Sequence, residues 1–172
     1  MLTAIIATHE SERALVPTLA ALVPGATAGL IAEVIVADAG SRDGTAEVAD
    51  VAGCRFIASP APLGARLREA AVAARTPWLM FLRPGCVPAP GWVTDAEQFI
   101  ETGAQDRAAI FGGGGRVLFG GAPKPDRGLL IAHAFYDALG RHPDGPDTEA
   151  ALLRRLGRRR IALLASAAIY LT

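Results

Sequence analysis

Short apolar runs alternate with longer stretches of helical period over the first hundred residues. Residues 2–7 (Leu-Thr-Ala-Ile-Ile-Ala) predict a buried strand. Residues 11–23 place Leu15, Leu19 and Leu22/Val23 at helical spacing, with Pro24-Gly25 as the expected stop. A second strand is predicted over 33–37, ending at Asp38, followed by a short helix over 45–51 with Asp43 or Ser41 as its cap. Residues 54–58 predict a third strand, 63–75 an alanine-rich helix, and 78–82 (Trp-Leu-Met-Phe-Leu) a fourth strand. Such runs lack polar alternation and suit a sheet covered on both faces. Strand and helix in alternation predict an α/β fold with right-handed parallel crossovers. After residue 100 the pattern loosens. Residues 110–119 are glycine-rich, 126–139 and 148–156 read as helices, and 160–164 reads as a last strand.

Composition narrows the class. The chain has 172 residues and is 51% hydrophobic, enough for one folded domain with a sizeable core and too apolar for intrinsic disorder. Seventeen basic residues balance seventeen acidic ones, which argues against a nucleic-acid-coating function. The neutrality is unevenly distributed. Residues 1–50 carry seven acidic and two basic side chains, whereas 51–90 carry five basic and one acidic. Only two cysteines occur, Cys54 and Cys86, so no disulfide framework is expected and reduced cytoplasmic thiols are the default. The first residues show no signal-peptide pattern, and no apolar run reaches the roughly 18 residues of a membrane span.

In an open α/β sheet, ligands bind beyond the carboxyl ends of the strands. Those ends carry Thr8-His9-Glu10 after the first strand, Asp38-Ala39-Gly40-Ser41-Arg42-Asp43-Gly44-Thr45 after the second, and Arg83-Pro84-Gly85-Cys86 after the fourth. A carboxylate at a strand end can accept hydrogen bonds from a base or a ribose, and the turn after Asp38 leads into a helix N-terminus, which favours anions. The competing reading is that Asp38 and Asp43 only cap turns. His9, His133 and His142 are too scattered for a metal site. Residues 112–115 are four glycines without the Lys-Ser/Thr of a P-loop, and read as a flexible loop or a bulge. The cluster Arg154-Arg155-x-x-Arg158-Arg159-Arg160 leaves membrane-surface contact open beside the simpler reading of a solvated helix end.

The order of these pieces resembles the family 2 glycosyltransferases of the GT-A fold. Ala4-Ile5-Ile6-Ala7-Thr8-His9-Glu10 resembles their opening I-I-P-T-x-N-E, and Val34 to Thr45 resembles V-V-D-G-G-S-x-D-G-T. Gly64-Ala65-Arg66-Leu67-Arg68 falls where they carry G-A-x-L-N. Residues 147–156 resemble E-D-x-E-L-x-x-R-L. The likeness is good over 4–92, weak to about 140, and is closest to the short soluble members of the group. It implies a single GT-A domain, a three-layer α/β/α sandwich with a mostly parallel central sheet. Residues 1–92 would form a nucleotide-binding half and 93–172 an acceptor-side half. It implies a nucleotide-sugar donor and an acceptor that the motifs do not name. Asp38, with Gly40 and Ser41, would hold the base, Thr8 and Glu10 would line the nucleoside pocket, and Asp147 would be the general base of an inverting transfer.

Two departures bear on the chemistry. Where the family has F-L-H-A-D or F-L-D-A-D, this chain has Phe81-Leu82-Arg83-Pro84-Gly85, so both acidic positions of the Mg²⁺ or Mn²⁺ motif are lost. Arg68 replaces the usual Asn. Three readings follow. Arg66, Arg68 and Arg83 converge on the diphosphate in place of a metal; or catalysis is lost and the fold persists as a nucleotide-binding or scaffold module; or another acidic group holds the metal. The first two expect no bound metal, the third Mg²⁺ or Mn²⁺. Homo-oligomerisation stays open.

Overall fold

The computed structural model describes residues 1–103, 105–112 and 125–171. The elements in chain order are β1 (Leu2–Thr8), α1 (Glu12–Thr27), β2 (Ile31–Asp38), α2 (Thr45–Val51), β3 (Arg55–Ala58), α3 (Leu63–Ala73), β4 (Trp78–Leu82), β5 (Cys86–Pro88), α4 (Trp92–Glu101), β6 (Ala108–Gly112), β7 (Leu129–Ala132), α5 (His133–Ala138), α6 (Thr148–Leu156) and β8 (Ile161–Tyr170). The strands form one sheet in the order β3-β2-β1-β4-β7-β6-β8-β5. Its first four strands are parallel throughout, as the crossover pattern predicts. Beyond β4 the sheet is mixed: β7 runs antiparallel to both β4 and β6, β8 is parallel to β6, and β5 is antiparallel to β8.

Alternate strand residues feed two separate cores. Ala4, Ile6, Val36, Met80 and Leu82 pack towards α1, α2 and α4 with Leu15, Leu22, Ala49 and Trp92. Ile5, Ile35, Leu79 and Phe81 pack towards α3, α5 and α6 with Leu67, Tyr136, Leu152 and Leu156. The central strands β1, β2 and β4 are thus packed on both faces, which is why they need no strict polar alternation. This is the three-layer sandwich that the sequence predicts.

Several elements differ from expectation. Helix α1 does not stop at Pro24-Gly25 but continues to Thr27. Pro24 removes the donor for Ala20, and both residues are exposed, so the helix tolerates the proline on its solvent side. Gly25 marks a close approach rather than a stop: a Cβ there would meet the Trp92 ring at 2.6 Å. The Trp92 indole also donates to the Ala21 carbonyl at 3.0 Å. Within the predicted helix 126–139, Leu129–Ala132 is instead a fully buried strand, His133–Ala138 is α-helical, and residues 126–127 belong to a 3-10 turn. A four-residue apolar run has no period that tells the two apart, and the free edge of β4 decides it. The sequence pattern missed β5 and α4. The latter buries Trp92, Ala96 and Phe99 at helical spacing, and Trp78 meets Phe99 edge-on at 5.8 Å. The last strand runs to Tyr170 rather than ending at 164. The glycine run of 112–115 lies outside the described residues beyond Gly112.

Candidate functional site

The central strands β2, β1 and β4 end side by side, with Thr8 paired in register with Asp38. Their loops, together with the ends of α6 and β8, enclose a cleft of about 940 Å³. Its lining includes Thr8, Glu10, Glu12, Asp43, Arg66, Arg83, Glu149, Tyr170 and Leu171. This is the size range of small-molecule sites, and its position is the one expected of an α/β sheet.

Asp38 is the buried foundation of this cleft, at 1% exposure. Its Oδ1 accepts from the Thr8 hydroxyl at 2.7 Å and the Ser41 hydroxyl at 2.6 Å. Its Oδ2 accepts from the Gly40 and Ser41 amides at 2.7 and 2.6 Å. Burial alone raises the carboxyl pKa, but donors from Ser41, Thr8 and Gly40 outweigh it and hold the group below the ordinary aspartate value. The carboxylate is thus occupied by its own loop. Asp38 shapes the turn through Gly40, at φ +90°, and Ser41 rather than presenting an oxygen to the cleft.

The two loops above it are laced reciprocally. The Glu10 amide donates to Ser41 Oγ at 2.8 Å, and the Arg42 amide donates back to Glu10 Oε1 at 2.8 Å. The Glu12 amide donates to Asp43 Oδ2 at 3.0 Å, and the Gly44 amide donates back to Glu12 Oε2 at 3.1 Å. Between them the Ser11 amide donates to Thr45 Oγ1 at 2.9 Å. This lacing holds Glu10 at φ +48°, a conformation that a non-glycine residue adopts at a cost of about 1–3 kcal/mol. The N-cap of α2 is Gly44 rather than the expected Asp43 or Ser41; Asp43 precedes it and accepts from the Thr45 amide at 3.1 Å, closing the turn into the helix.

The three arginines do not converge. Arg66, at 8% exposure, inserts beneath the cleft and donates to the carbonyls of Thr8, Ala37 and Ala61. Its desolvation lowers its pKa, opposed by the charge of Asp38. It ties the ends of β1 and β2 to α3. Arg68 points away from the cleft, donating to the His142 carbonyl at 2.6 Å and pairing with Asp144 at 2.7 Å. Only Arg83 presents its guanidinium on the rim. It pairs with Glu149 through Nε and Nη2, and its hydrogen bonds to that carboxylate raise its pKa. Among the described residues Nη1 of Arg83 has no acceptor. The loop that carries it is pinned: the Gly85 amide reaches the Ala14 carbonyl and Thr18 Oγ1, and the Leu171 amide donates to the Gly85 carbonyl at 2.9 Å.

Asp147 stands outside the cleft, exposed at the N-cap of α6 with no side-chain capping bond. Glu149, two residues on, lines the cleft instead. The sequence carried a signal for this. Setting E-D-x-E-L-x-x-R-L on its last two residues, Arg155 and Leu156, matches Leu152 as well and puts Glu149 at the Asp position. The segment is held from behind. Thr148 Oγ1 donates to the Pro143 carbonyl, and Tyr136 Oη lies 2.8 Å from Nδ1 of the buried His142. Burial, aided by Arg68, pushes His142 down to about 3 and keeps the ring neutral.

A divalent cation does not fit this set of donors. Arg83-Pro84-Gly85 occupies the position of the family's acidic pair, and Glu149 beside it already receives the Arg83 fork. Among the described residues no three His, Cys, Asp or Glu side chains converge.

Comparison with known proteins agrees with the fold. Glucosyl-3-phosphoglycerate synthase from Mycobacterium tuberculosis, in complex with Mn²⁺, UDP and glucosyl-3-phosphoglycerate, superposes with a TM-score of 0.73 at 20% identity, over 100% of this chain and 72% of that one. The same enzyme with Mn²⁺, UDP-glucose and phosphoglyceric acid gives 0.75 at 20% identity, with the same coverage. Residues 1–349 of S. aureus TarS give 0.75 at 17% identity, over 99% of this chain and 60% of that one. At these identities the likeness establishes the GT-A fold. No curated relative matches the chain. The model of the family described as glycosyl transferase family 2 matches residues 3–136, from β1 into α5, and so the chain belongs to that family.

Proposed function

We propose that the cleft binds a nucleoside-diphosphate sugar and that the protein transfers the sugar with inversion and without a divalent metal. The observation that carries this reading is the pairing of Arg83 with Glu149 in the cleft that the laced β1 and β2 loops also line. A fixed guanidinium offers planar, bidentate donors to a diphosphate and stabilises the charge that develops as it leaves. The nucleoside lies against Thr8 and the Glu10–Ser41 lacing, and Asp38 acts beneath it by ordering Gly40 and Ser41. Likeness to an enzyme whose complexes hold UDP-glucose supports this class of donor.

In the proposed reaction Arg83 turns part of its fork from Glu149 to the diphosphate. Glu149 then takes the proton of the acceptor hydroxyl as its oxygen bonds to the anomeric carbon. The bond from that carbon to the diphosphate oxygen breaks, and its electron pair leaves with the diphosphate. Glu149, rather than Asp147, is the base because only Glu149 lines the cleft. The division into a nucleotide-binding half, 1–92, and an acceptor-side half, 93–172, belongs to this proposal. It puts Tyr170 and Leu171 on the acceptor side.

The same ion pair favours a second reading, a silent nucleotide-binding module, because it neutralises the acid and the cation against each other. Calorimetry with UDP, GDP and their glucose conjugates, with Mn²⁺ or with EDTA, tests binding. Tight binding that EDTA leaves unchanged supports the proposal, and affinity that rises sharply with Mn²⁺ overturns its metal-free part. Donor turnover in the binding-competent protein separates the enzyme from the silent module.

A further inference from the structure

We infer that the protein docks on anionic lipid bilayers through the arginine-rich turn between α6 and β8. Residues 150–171 contain five arginines and no acidic residue, and all five are exposed. Arg154 and Arg155 lie in the last turn of α6, where the helix dipole alone explains them. Arg158, Arg159 and Arg160 lie beyond the helix in a 3-10 turn, where it does not. Arg107, also exposed, precedes β6, and the Ala108–Ile161 register sets it beside Arg160 at the neighbouring strand start. Asp106 is the one acid adjoining it in sequence.

The same turn opens into an apolar strand face. In β8, Leu164 and Ser166 are buried while Leu163, at 53% exposure, and Ala165 point outward. A basic cluster joined to an outward-facing leucine is the pair of signals that peripheral attachment to anionic lipid needs, since either alone binds weakly. A nucleic acid fits less well. The chain as a whole is neutral, and the aromatic ring within the cluster, Phe135, is half-buried with Arg160 5.9 Å from its centroid, so it offers no open face for a base.

The docking end and the cleft lie at opposite ends of β8, whose far residue, Tyr170, lines the cleft. Ten extended residues span roughly 33 Å at about 3.3 Å each. A docked molecule therefore holds its cleft open to water, away from the lipid surface.

Vesicle flotation of the full chain tests this, with vesicles of phosphatidylcholine alone and of equal parts phosphatidylcholine and phosphatidylglycerol. The expected result is binding to the anionic vesicles only, abolished by high salt. Arg154→Ala with Arg159→Ala reduces that binding about tenfold or more, and the corresponding lysine pair retains it. Leu163→Ser weakens vesicle binding severalfold without changing retention on heparin. Circular dichroism melts identify any variant that fails to fold, and the lysine pair then decides whether charge is the cause. The inference is overturned if the native chain ignores anionic vesicles, or if the folded alanine pair floats like the parent. It is also overturned if the chain binds RNA but no vesicles.

Discussion

The floor and the rim of the cleft each hold a carboxylate and an arginine, and the two sets are built on opposite terms. On the floor, Asp38 and Arg66 are nearly inaccessible, and each is satisfied by hydroxyls, amides and carbonyls of the surrounding loops. On the rim, Arg83 and Glu149 are satisfied by each other, with side-chain exposures of 44% and 16%. A buried charge whose partners are backbone groups cannot exchange them without an unpaired group in low dielectric, so the floor is fixed. An ion pair whose arginine is open to solvent is worth only about 0–1 kcal/mol and can trade one partner for a ligand. The comparison teaches why the proposed reaction uses the rim: the groups that can change partner are those whose pairing is weak.

The comparison can be broken first at the rim. Glu149→Gln is expected to lower transfer about 10²–10⁴-fold in a donor-turnover assay while urea denaturation moves by less than about 1 kcal/mol. Asp147→Asn should leave transfer unchanged. The floor predicts the reverse pattern: Asp38→Ala strands two hydroxyls and two amides and should destabilise the fold by about 3–5 kcal/mol in the same denaturation experiment. Arg83→Ala should weaken nucleotide-sugar binding about 10–100-fold by calorimetry, with or without EDTA, since a charged hydrogen bond contributes about 1.5–3 kcal/mol.

The smallest expected effect concerns pH. His142 is held neutral with its pKa near 3 against an ordinary value of 6.5. A folded-state pKa below the unfolded one contributes stability in full above pH 6.5, and that contribution is lost as pH falls from 6.5 towards 3. The melting temperature should therefore fall as pH drops through this window. His142→Gln should flatten the slope, and an unchanged slope would remove His142 from that role. Asp38, whose pKa lies below its ordinary value, adds a second loss that begins only below about pH 4.

The parallel half of the sheet is largely legible in the sequence. The sequence predicts strands over 2–7, 33–37 and 78–82, the structure extends the first two to Leu2–Thr8 and Ile31–Asp38, and Thr8, Asp38 and Arg83 follow from where those runs stop. Helices α2 and α6 start and stop at the residues that their apolar period predicts. Leu129–Ala132 was not legible, since a buried strand and a turn of buried helix share the same four apolar residues. Nor was the fate of the arginines. Arg66 and Arg68 are two residues apart on α3, so they leave the helix in different directions, one under the cleft and one towards Asp144.

By itself the sequence determined the alternation of strand and helix, the loops at the carboxyl ends of the strands, and the replacement of an acidic motif by Arg83. These are local properties, written in period, capping and residue type. Only the tertiary structure decided that Asp38 is turned inward, that Arg66 serves the backbone and that Arg83 meets Glu149. Those outcomes depend on contacts across 29 to 66 residues of chain, such as Arg66 to Ala37 and Arg83 to Glu149. No pattern within a single element carries such contacts, and burial then fixes which charges are structural and which stay exchangeable.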